Sequence, residues 1–342
     1  MPNVYTGGAR TSNLTTRKYD SAGSLIWSRD HGATVNGIAV DRGFVYTGAT
    51  RTSNLTTRKY SSLSLLLWSR DHGDTVEGIA VDREGYVYTV GRISTDVMTT
   101  RKYDSEGDLL WSVNHEDTAY VIAVDREGFV YTGGRILLSG VTDTTRKYDS
   151  EGNLLWSRDH GNTAVRGVAV DREGYVYTGG NRTATDVMTT RKYDSEGGLI
   201  WSRDHGSIVY GIAVDKEGFV YTGGAQSSEL TTRKYDSAGS LIWSINHGAT
   251  VRGVAVDKEG YVYTGGNRTA TDLMTTRKYD SEGGLIWSRD HGNIVYEITV
   301  DPGIYGAGFW EDLGPILFSG YIIERKVNDG EWDTLLEIPD LN

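Results

Sequence analysis

The chain contains no cysteine, which removes disulfide staples, thiolate metal ligands and cysteine nucleophiles together and leaves the redox compartment open. Proline is almost as scarce: Pro2, Pro302, Pro315 and Pro339 are the only four, all toward the ends of the 342 residues. An interior without proline can form continuous backbone ladders. Basic residues are outnumbered, 35 Lys and Arg against 46 Asp and Glu, for a net charge of −11. A nucleic-acid surface needs a basic stripe to displace counterions, so no nucleic-acid partner is expected. No apolar run approaches the roughly 20 residues that cross a bilayer, so membrane insertion is not expected either. Met1 leads directly into MPNVYTGG, without the basic and apolar leader of a secretory signal.

What the sequence has in place of these is repetition. Glycine (44) and tyrosine (22) are abundant, and the phrase TTRKYDSEGGLIWSRDHG at 189–206 recurs in seven near copies, from Thr15 to Thr275. Its tryptophans, Trp27, Trp68, Trp111, Trp156, Trp201, Trp243 and Trp287, lie 41 to 45 residues apart, the length of a four-stranded propeller blade. Each segment is short, β-branched or aromatic, and bounded by glycine, without the i, i+3, i+4, i+7 spacing of helical repeats. The expected fold class is therefore all-β, a seven-bladed propeller of four-stranded blades over residues 1–301.

One unit divides into VRGVAVD (165–171), YVYTGG (175–180), MTTRKYD (188–194) and GLIWSRDH (198–205), termed strands A, B, C and D. The A–B link DREG and the C–D link DSEG are Asp and Gly turns of hairpin length. The B–C and D–A links are longer and vary, which puts the two classes of link on opposite faces. Strand A, nearly all apolar, is expected to be buried on both faces near the axis. Strand C, alternating Thr, Arg and Tyr with Thr and Lys, reads as an outer strand with a wetter face. The tryptophan of strand D should pack between blades, contributing about 2–3 kcal/mol by area. The chain starts inside a B strand, and IVYEITVD at 294–301 supplies the missing A strand. That three-plus-one closure leaves no free edge.

KYDSEGNLLW (147–156) followed by VAVDREGYVYTGG (168–180) resembles the seven-bladed β-propeller (SBBP-type) repeat of bacterial surface and secreted proteins, over roughly residues 3–301. The resemblance implies the fold and a location outside the cell, and it brings no active site with it. Residues 302–342 leave the pattern. Their GYIIERKV, NDG and EWDTLLEI segments predict a β-hairpin at about 321–338 with Asn-Asp-Gly as its turn. GYIIERKVNDGEW also resembles a strand pair of a fibronectin type III domain, but the segment is too short for that sandwich of about 100 residues. Phe309, Trp310, Ile316, Leu317 and Phe318 are its apolar candidates for packing on the ring or for docking onto another subunit, as in a homo-oligomer or larger assembly.

WSRDH holds Ser, Asp and His, yet strand alternation places Ser28 and Asp30 on one face and His31 on the other, so they form no relay. Asp30 also becomes Asn114 and Asn246 in two copies, where Arg29 becomes Val113 and Ile245. The seven histidines, His31, His72, His115, His160, His205, His247 and His291, share one slot on different blades. They are too far apart to share a metal, and the expected role is a hydrogen bond pinning the D–A link, with a pH switch as the alternative. The Asp-Gly turns offer too few converging oxygens for calcium. The Arg-Lys pairs of strand C, Arg17 and Lys18 through Arg277 and Lys278, are expected to be solvated or ion-paired between blades. No cofactor or metal is called for.

The informative positions are those where near-identical copies disagree. Two places before the Ile or Val of IAV or VAV, strand A carries Asn36, Glu77, Tyr120, Arg166, Tyr210, Arg252 and Tyr296. The neighbouring B–C links add Arg10, Arg51, Arg92, Arg135, Arg182 and Arg268, and the longest also carries Ile136, Leu137 and Leu138. All map to one face and to the mouth of the axial channel, where unlike aromatic and arginine side chains on a rigid scaffold suit recognition. The expected function is a non-enzymatic module binding a glycan or protein partner, on a cell surface or a virus particle. The alternatives are an enzyme, hydrolase or lyase, with its site in the channel mouth, and a purely structural assembly component. Against the enzyme, no carboxylate pair, nucleophile or metal set stands out from the repeated background.

Overall fold

The computed structural model describes residues 2–8, 16–50, 56–94, 97–115, 118–135, 144–159, 163–182, 189–204, 208–225, 231–246, 249–268, 274–290, 294–301, 322–326 and 332–337. The chain divides into two units, Met1–Gly303 and Ile304–Asn342. The first holds seven four-stranded antiparallel sheets. We number these blades by their tryptophans, from Trp27 in blade 1 to Trp287 in blade 7. In blade 5, strands A to D are Thr163–Val170, Val176–Arg182, Thr189–Tyr193 and Leu199–Asp204. Each A strand touches the A strand of the next blade, and the last returns to the first. The result is a closed seven-bladed β-propeller. In the second unit, strands Ile322–Lys326 and Trp332–Glu337 pair antiparallel. The Asn-Asp-Gly turn predicted between them lies outside the described residues. No helix among the described residues is long and apolar enough to cross a membrane.

Closure follows the three-plus-one scheme. Val295–Val300 pairs with Val4–Gly8, with Val4 opposite Val300 and Gly7 opposite Glu297. Each turn then explains part of the repeated phrase. Asp171 accepts the backbone N–H groups of Glu173 and Tyr175 at 3.1 and 2.9 Å through Oδ1, and the Tyr177 hydroxyl at 2.8 Å through Oδ2. Gly174 closes that turn at φ +83°, where a Cβ is strained. The same pair recurs as Asp82 with Tyr88, Asp125 with Tyr131, Asp215 with Tyr221 and Asp257 with Tyr263. Burial, together with the carboxylate it bonds, pushes these tyrosine pKa values up. The carboxylates are engaged within their own hairpins, the structural role expected of these turns.

The phrase from Lys to Arg is a latch between blades. Trp156 Nε1 donates to the Ser195 carbonyl of the next blade at 2.9 Å, and Lys147 Nζ donates to the same oxygen at 3.2 Å. Arg158 donates to the Gly197 and Glu196 carbonyls of that C–D turn. Trp287 and Arg289 of blade 7 hold the Ser21 and Gly23 carbonyls of blade 1 in the same way, at 3.1 and 2.7 Å, so the latch also fastens the two ends of the ring. Where the arginine is replaced, Val113 and Ile245 join the inter-blade apolar clusters.

Two readings of the sequence need correction. Strand C is not wet: Thr145, Lys147 and Tyr148 are buried, and strand D is the outermost. Its lysine is neither solvated nor ion-paired as expected. Lys147 Nζ lies 4.2 Å from the Phe129 ring centroid and 5.3 Å from that of Tyr131, so its charge is met by π faces and one carbonyl. Burial lowers the pKa of the equivalent Lys18, Lys59, Lys192 and Lys278. The tryptophan does pack between blades: Trp27 and Tyr5 cluster with Ile38, Val40 and Tyr60 of blade 2. The aliphatic pair before each tryptophan is exposed instead, from Leu25 and Ile26 in blade 1 to Leu285 and Ile286 in blade 7. A bulge sets this: Leu25 opposes Tyr19 and Trp27 opposes Lys18, leaving Ile26 unpaired.

Blade 2 departs from its siblings at both turns. Its A–B turn is one residue shorter and puts Arg42 at φ 48° before Gly43 at φ 81°. In its C–D turn Ser64, at φ 68°, stands in the glycine slot. Leu63 beside it, at 80%, has the highest fractional exposure of the large apolar side chains among the described residues.

Candidate functional site

Strand A carries a β-bulge near its start in every blade, and the seven residues singled out by their variation are its extra residues. Val165 opposes Gly180 and Gly167 opposes Gly179, leaving Arg166 unopposed. The same shift isolates Asn36, Glu77, Tyr120, Tyr210, Arg252 and, in the closing sheet, Tyr296. A bulge bends its strand and re-aims one side chain, and such irregularities recur beside binding sites.

In five blades a Gly-Gly near the end of strand B makes room for the bulge, while blade 2 has Gly48-Ala49 and blade 3 Val90-Gly91 in those slots. A Cβ on Gly180 would meet the Ala164 carbonyl at 2.0 Å, and on Gly224 the Ile208 carbonyl at 1.7 Å. The first glycine leaves room for a valine of the next blade: a Cβ on Gly133 would lie 2.4 Å from Val165 Cγ1, and one on Gly48 2.4 Å from Val76 Cγ1. Blade 3 breaks the rule with Val90 in that slot, and blade 4 answers with Ala119 where other blades have valine. Both are buried.

The aimed side chains reach toward adjacent blades. Arg252 Cζ lies 5.3 Å from the ring centroids of both Tyr210 and Tyr296, and Arg166 Cζ lies 5.1 Å from that of Tyr120. Blades 4 to 7 and blade 1 thus present Tyr, Arg, Tyr, Arg, Tyr in succession. On the remaining arc, Asn36 Nδ2 donates to the Val76 carbonyl of blade 3 at 3.0 Å. Burial raises the Glu77 pKa, opposed by Arg92 and Arg166. All seven residues keep part of their surface open to solvent.

Of the loop candidates, Arg92 extends strand B of blade 3, where its N–H donates to the Thr75 carbonyl at 2.7 Å. Arg135, Arg182 and Arg268 are strand B residues opposite Thr118, Thr163 and Ala249. Arg10, Arg51, Ile136, Leu137 and Leu138 lie outside the described residues, as do Phe309, Trp310, Ile316, Leu317 and Phe318.

Three histidines are described, and each meets the following blade. His31 Nδ1 pairs with the Tyr60 hydroxyl at 2.8 Å, His72 Nε2 with Thr99 Oγ1 at 2.9 Å, and His115 Nδ1 with the Tyr148 hydroxyl at 3.2 Å. Burial lowers the His31 and His72 pKa values to about 3, with nearby arginines adding to the shift. Both rings are therefore neutral through the physiological range, which favours the pinning role over the pH switch.

One residue escaped the sequence reading. Glu297, beside Tyr296 in the closing strand, occupies the slot of Gly37, Gly78, Gly167, Gly211 and Gly253, with Val121 as the other exception. Protein atoms surround it and burial raises its pKa to about 8, eased by a bond from the Ile298 N–H. It still retains some accessible surface, so water reaches one side of a crowded group. The signal was available, since EITV stands where five other copies read GVAV or GIAV and one reads VIAV.

These features can be set beside known proteins. No family model matches the chain, and no curated protein is similar to it in sequence. Solved structures do resemble it. A protein from Lactobacillus plantarum aligns with a TM-score of 0.63 at 15% identity, covering 88% of this chain and 99% of that one. The WD40 repeats of RRP9 align at 0.60 and 12% identity, covering 77% and 90%. A quinonprotein alcohol dehydrogenase-like protein from Bacteroides thetaiotaomicron aligns at 0.61 and 13% identity, covering 86% and 77%. The shared feature is the propeller. At these identities the likeness carries the fold and nothing narrower.

Proposed function

We propose that the chain is a non-enzymatic binding module that recognises a glycan or protein partner through the face bearing the bulges and the B–C and D–A links. One observation carries this reading: a backbone device repeated in all seven blades aims seven side chains, and those side chains are Asn, Glu, Tyr, Arg, Tyr, Arg and Tyr. The scaffold beneath is uniform, so the diversity is concentrated where a partner would touch. Its resemblance to surface-protein repeats supports display at a cell surface or on a virus particle, and the apolar residues of 302–342 support contact with another subunit.

The test is a glycan and protein binding screen with the full chain and with Tyr120, Tyr210 and Tyr296 changed together to alanine. These side chains contact arginines and keep part of their surface, so the triple variant should keep its melting temperature within a few degrees and lose binding. Unchanged binding, or collapse of the ring, would overturn the assignment.

A further inference from the structure

The half-ring Tyr120, Arg166, Tyr210, Arg252 and Tyr296 has a charge balance unlike the rest of the molecule. The chain is acidic overall, yet among the described residues neither Arg166 nor Arg252 has an ion-pair or hydrogen-bond partner. Their counterparts on strand D, such as Arg158 and Arg203, are taken up by backbone carbonyls. Arg252 is held between two tyrosine rings, and its Nε is buried without an acceptor. Stacking orients a guanidinium plane and leaves its edge for a planar anion. A buried donor with no acceptor in a native structure calls for an explanation. Glu77 is the one carboxylate among the bulge residues, on the neighbouring arc, and it faces Arg92 as well as Arg166.

We propose that this half-ring binds an acidic glycan through carboxylate-bearing sugars, uronic or sialic acid units, with Arg166 and Arg252 each presenting a guanidinium to a carboxylate. This rests on the binding-module reading above and narrows it. Two parallel N–H to O bonds from a guanidinium fix a carboxylate in position and orientation. The glycan is favoured over an acidic peptide by what surrounds the arginines. The hydroxyls of Tyr120, Tyr210 and Tyr296 supply hydrogen-bonding groups for sugar hydroxyls, and none of the seven bulge residues is aliphatic.

The experiment is calorimetric titration of the full chain with sialylated and uronate oligosaccharides, their carboxyl-reduced counterparts, and an acidic peptide. It is repeated on Arg166→Gln and Arg252→Gln, with melting temperatures recorded for each. The expected result is binding of a carboxylated saccharide, loss of at least roughly tenfold in affinity on reducing its carboxyl, and a similar loss in each variant at unchanged melting temperature. Arg252→Lys should also weaken binding, since a point charge replaces a stacked fork. Equal affinity for the carboxyl-reduced sugar, or binding of the peptide alone, would overturn the carboxylate-sugar assignment while leaving a binding module in place. Failure of every saccharide and peptide to bind at this mouth would overturn both readings. If an arginine variant melts early, the reduced-carboxyl comparison on the unaltered chain still decides the case.

Discussion

Glu297 makes the stability of the ring depend on alkaline pH. Its carboxyl moves from an ordinary value of 4.5 to about 8 in the folded chain because burial penalises the charged form. A folded-state pKa above the unfolded one means that folding takes up a proton. The contribution is therefore fully present below about pH 4.5 and is lost as pH rises through about 8. At about 1.4 kcal/mol per unit the whole shift would amount to some 5 kcal/mol, and water on one side of the group reduces this to about 2–3 kcal/mol. The perturbation is Glu297→Gln, which keeps the shape and removes the charge. Denaturant unfolding of both proteins from pH 5 to 9 is the assay, and the quantity read is the difference between them. Asp41, raised by burial to about 6, acts in the same direction at lower pH and cancels in that difference. His31 and His72, lowered to about 3, act in the opposite direction between about pH 6.5 and 3, and they cancel as well. The original protein should lose about 2–3 kcal/mol relative to the glutamine variant over this range. Parallel curves would refute the reasoning.

Two further predictions concern the scaffold. Val90→Gly should destabilise by about 2–4 kcal/mol through the cavity and the glycine, Ala119→Val by about 1–3 kcal/mol through overpacking, and the two together far less than their sum. Urea unfolding of the four proteins measures the coupling, expected at about 2 kcal/mol or more, and additivity would refute the pairing. Arg42→Asn should stabilise by about 0.5–1 kcal/mol, because asparagine tolerates positive φ in a two-residue hairpin turn better than arginine. The ion pair given up joins an exposed Arg42 to a largely buried Asp41 at 3.6 Å, and its loss offsets part of this gain; a less stable variant in thermal unfolding would contradict this account.

Architecture was legible because a seven-fold period in Asp-Gly turns and tryptophans leaves few alternatives. Orientation within a blade was not. Lys147 counted as polar, and the alternation of strand C therefore suggested a wet face. Its stem in fact crosses two aromatic rings to a carbonyl on the next blade, a contact with no trace in local periodicity. Leu25 and Ile26 counted as apolar yet stand exposed, because a bulge breaks the two-residue alternation on which such readings rest. The positions of Asn36 to Tyr296 could be found by comparing copies within the chain. Their aim could not, although the Gly-Gly in five of the seven B strands was a visible mark of close backbone approach. Glu297 stands out in the sequence only against the glycine it replaces, and its burial depends on packing that no local pattern encodes.

The exchange of glycine and valine for Val90 and Ala119 also bears on how such a chain assembles. Blades this similar can in principle stack in the wrong order or trade places with those of another molecule, a known hazard of tandem repeats. Val90 accepts only a neighbour that carries alanine, and strand A of blade 4 alone offers one, while the remaining seams are interchangeable at this position. The third and fourth blades therefore recognise each other by shape. That single keyed joint gives a nearly uniform ring a fixed point from which every other blade can be counted.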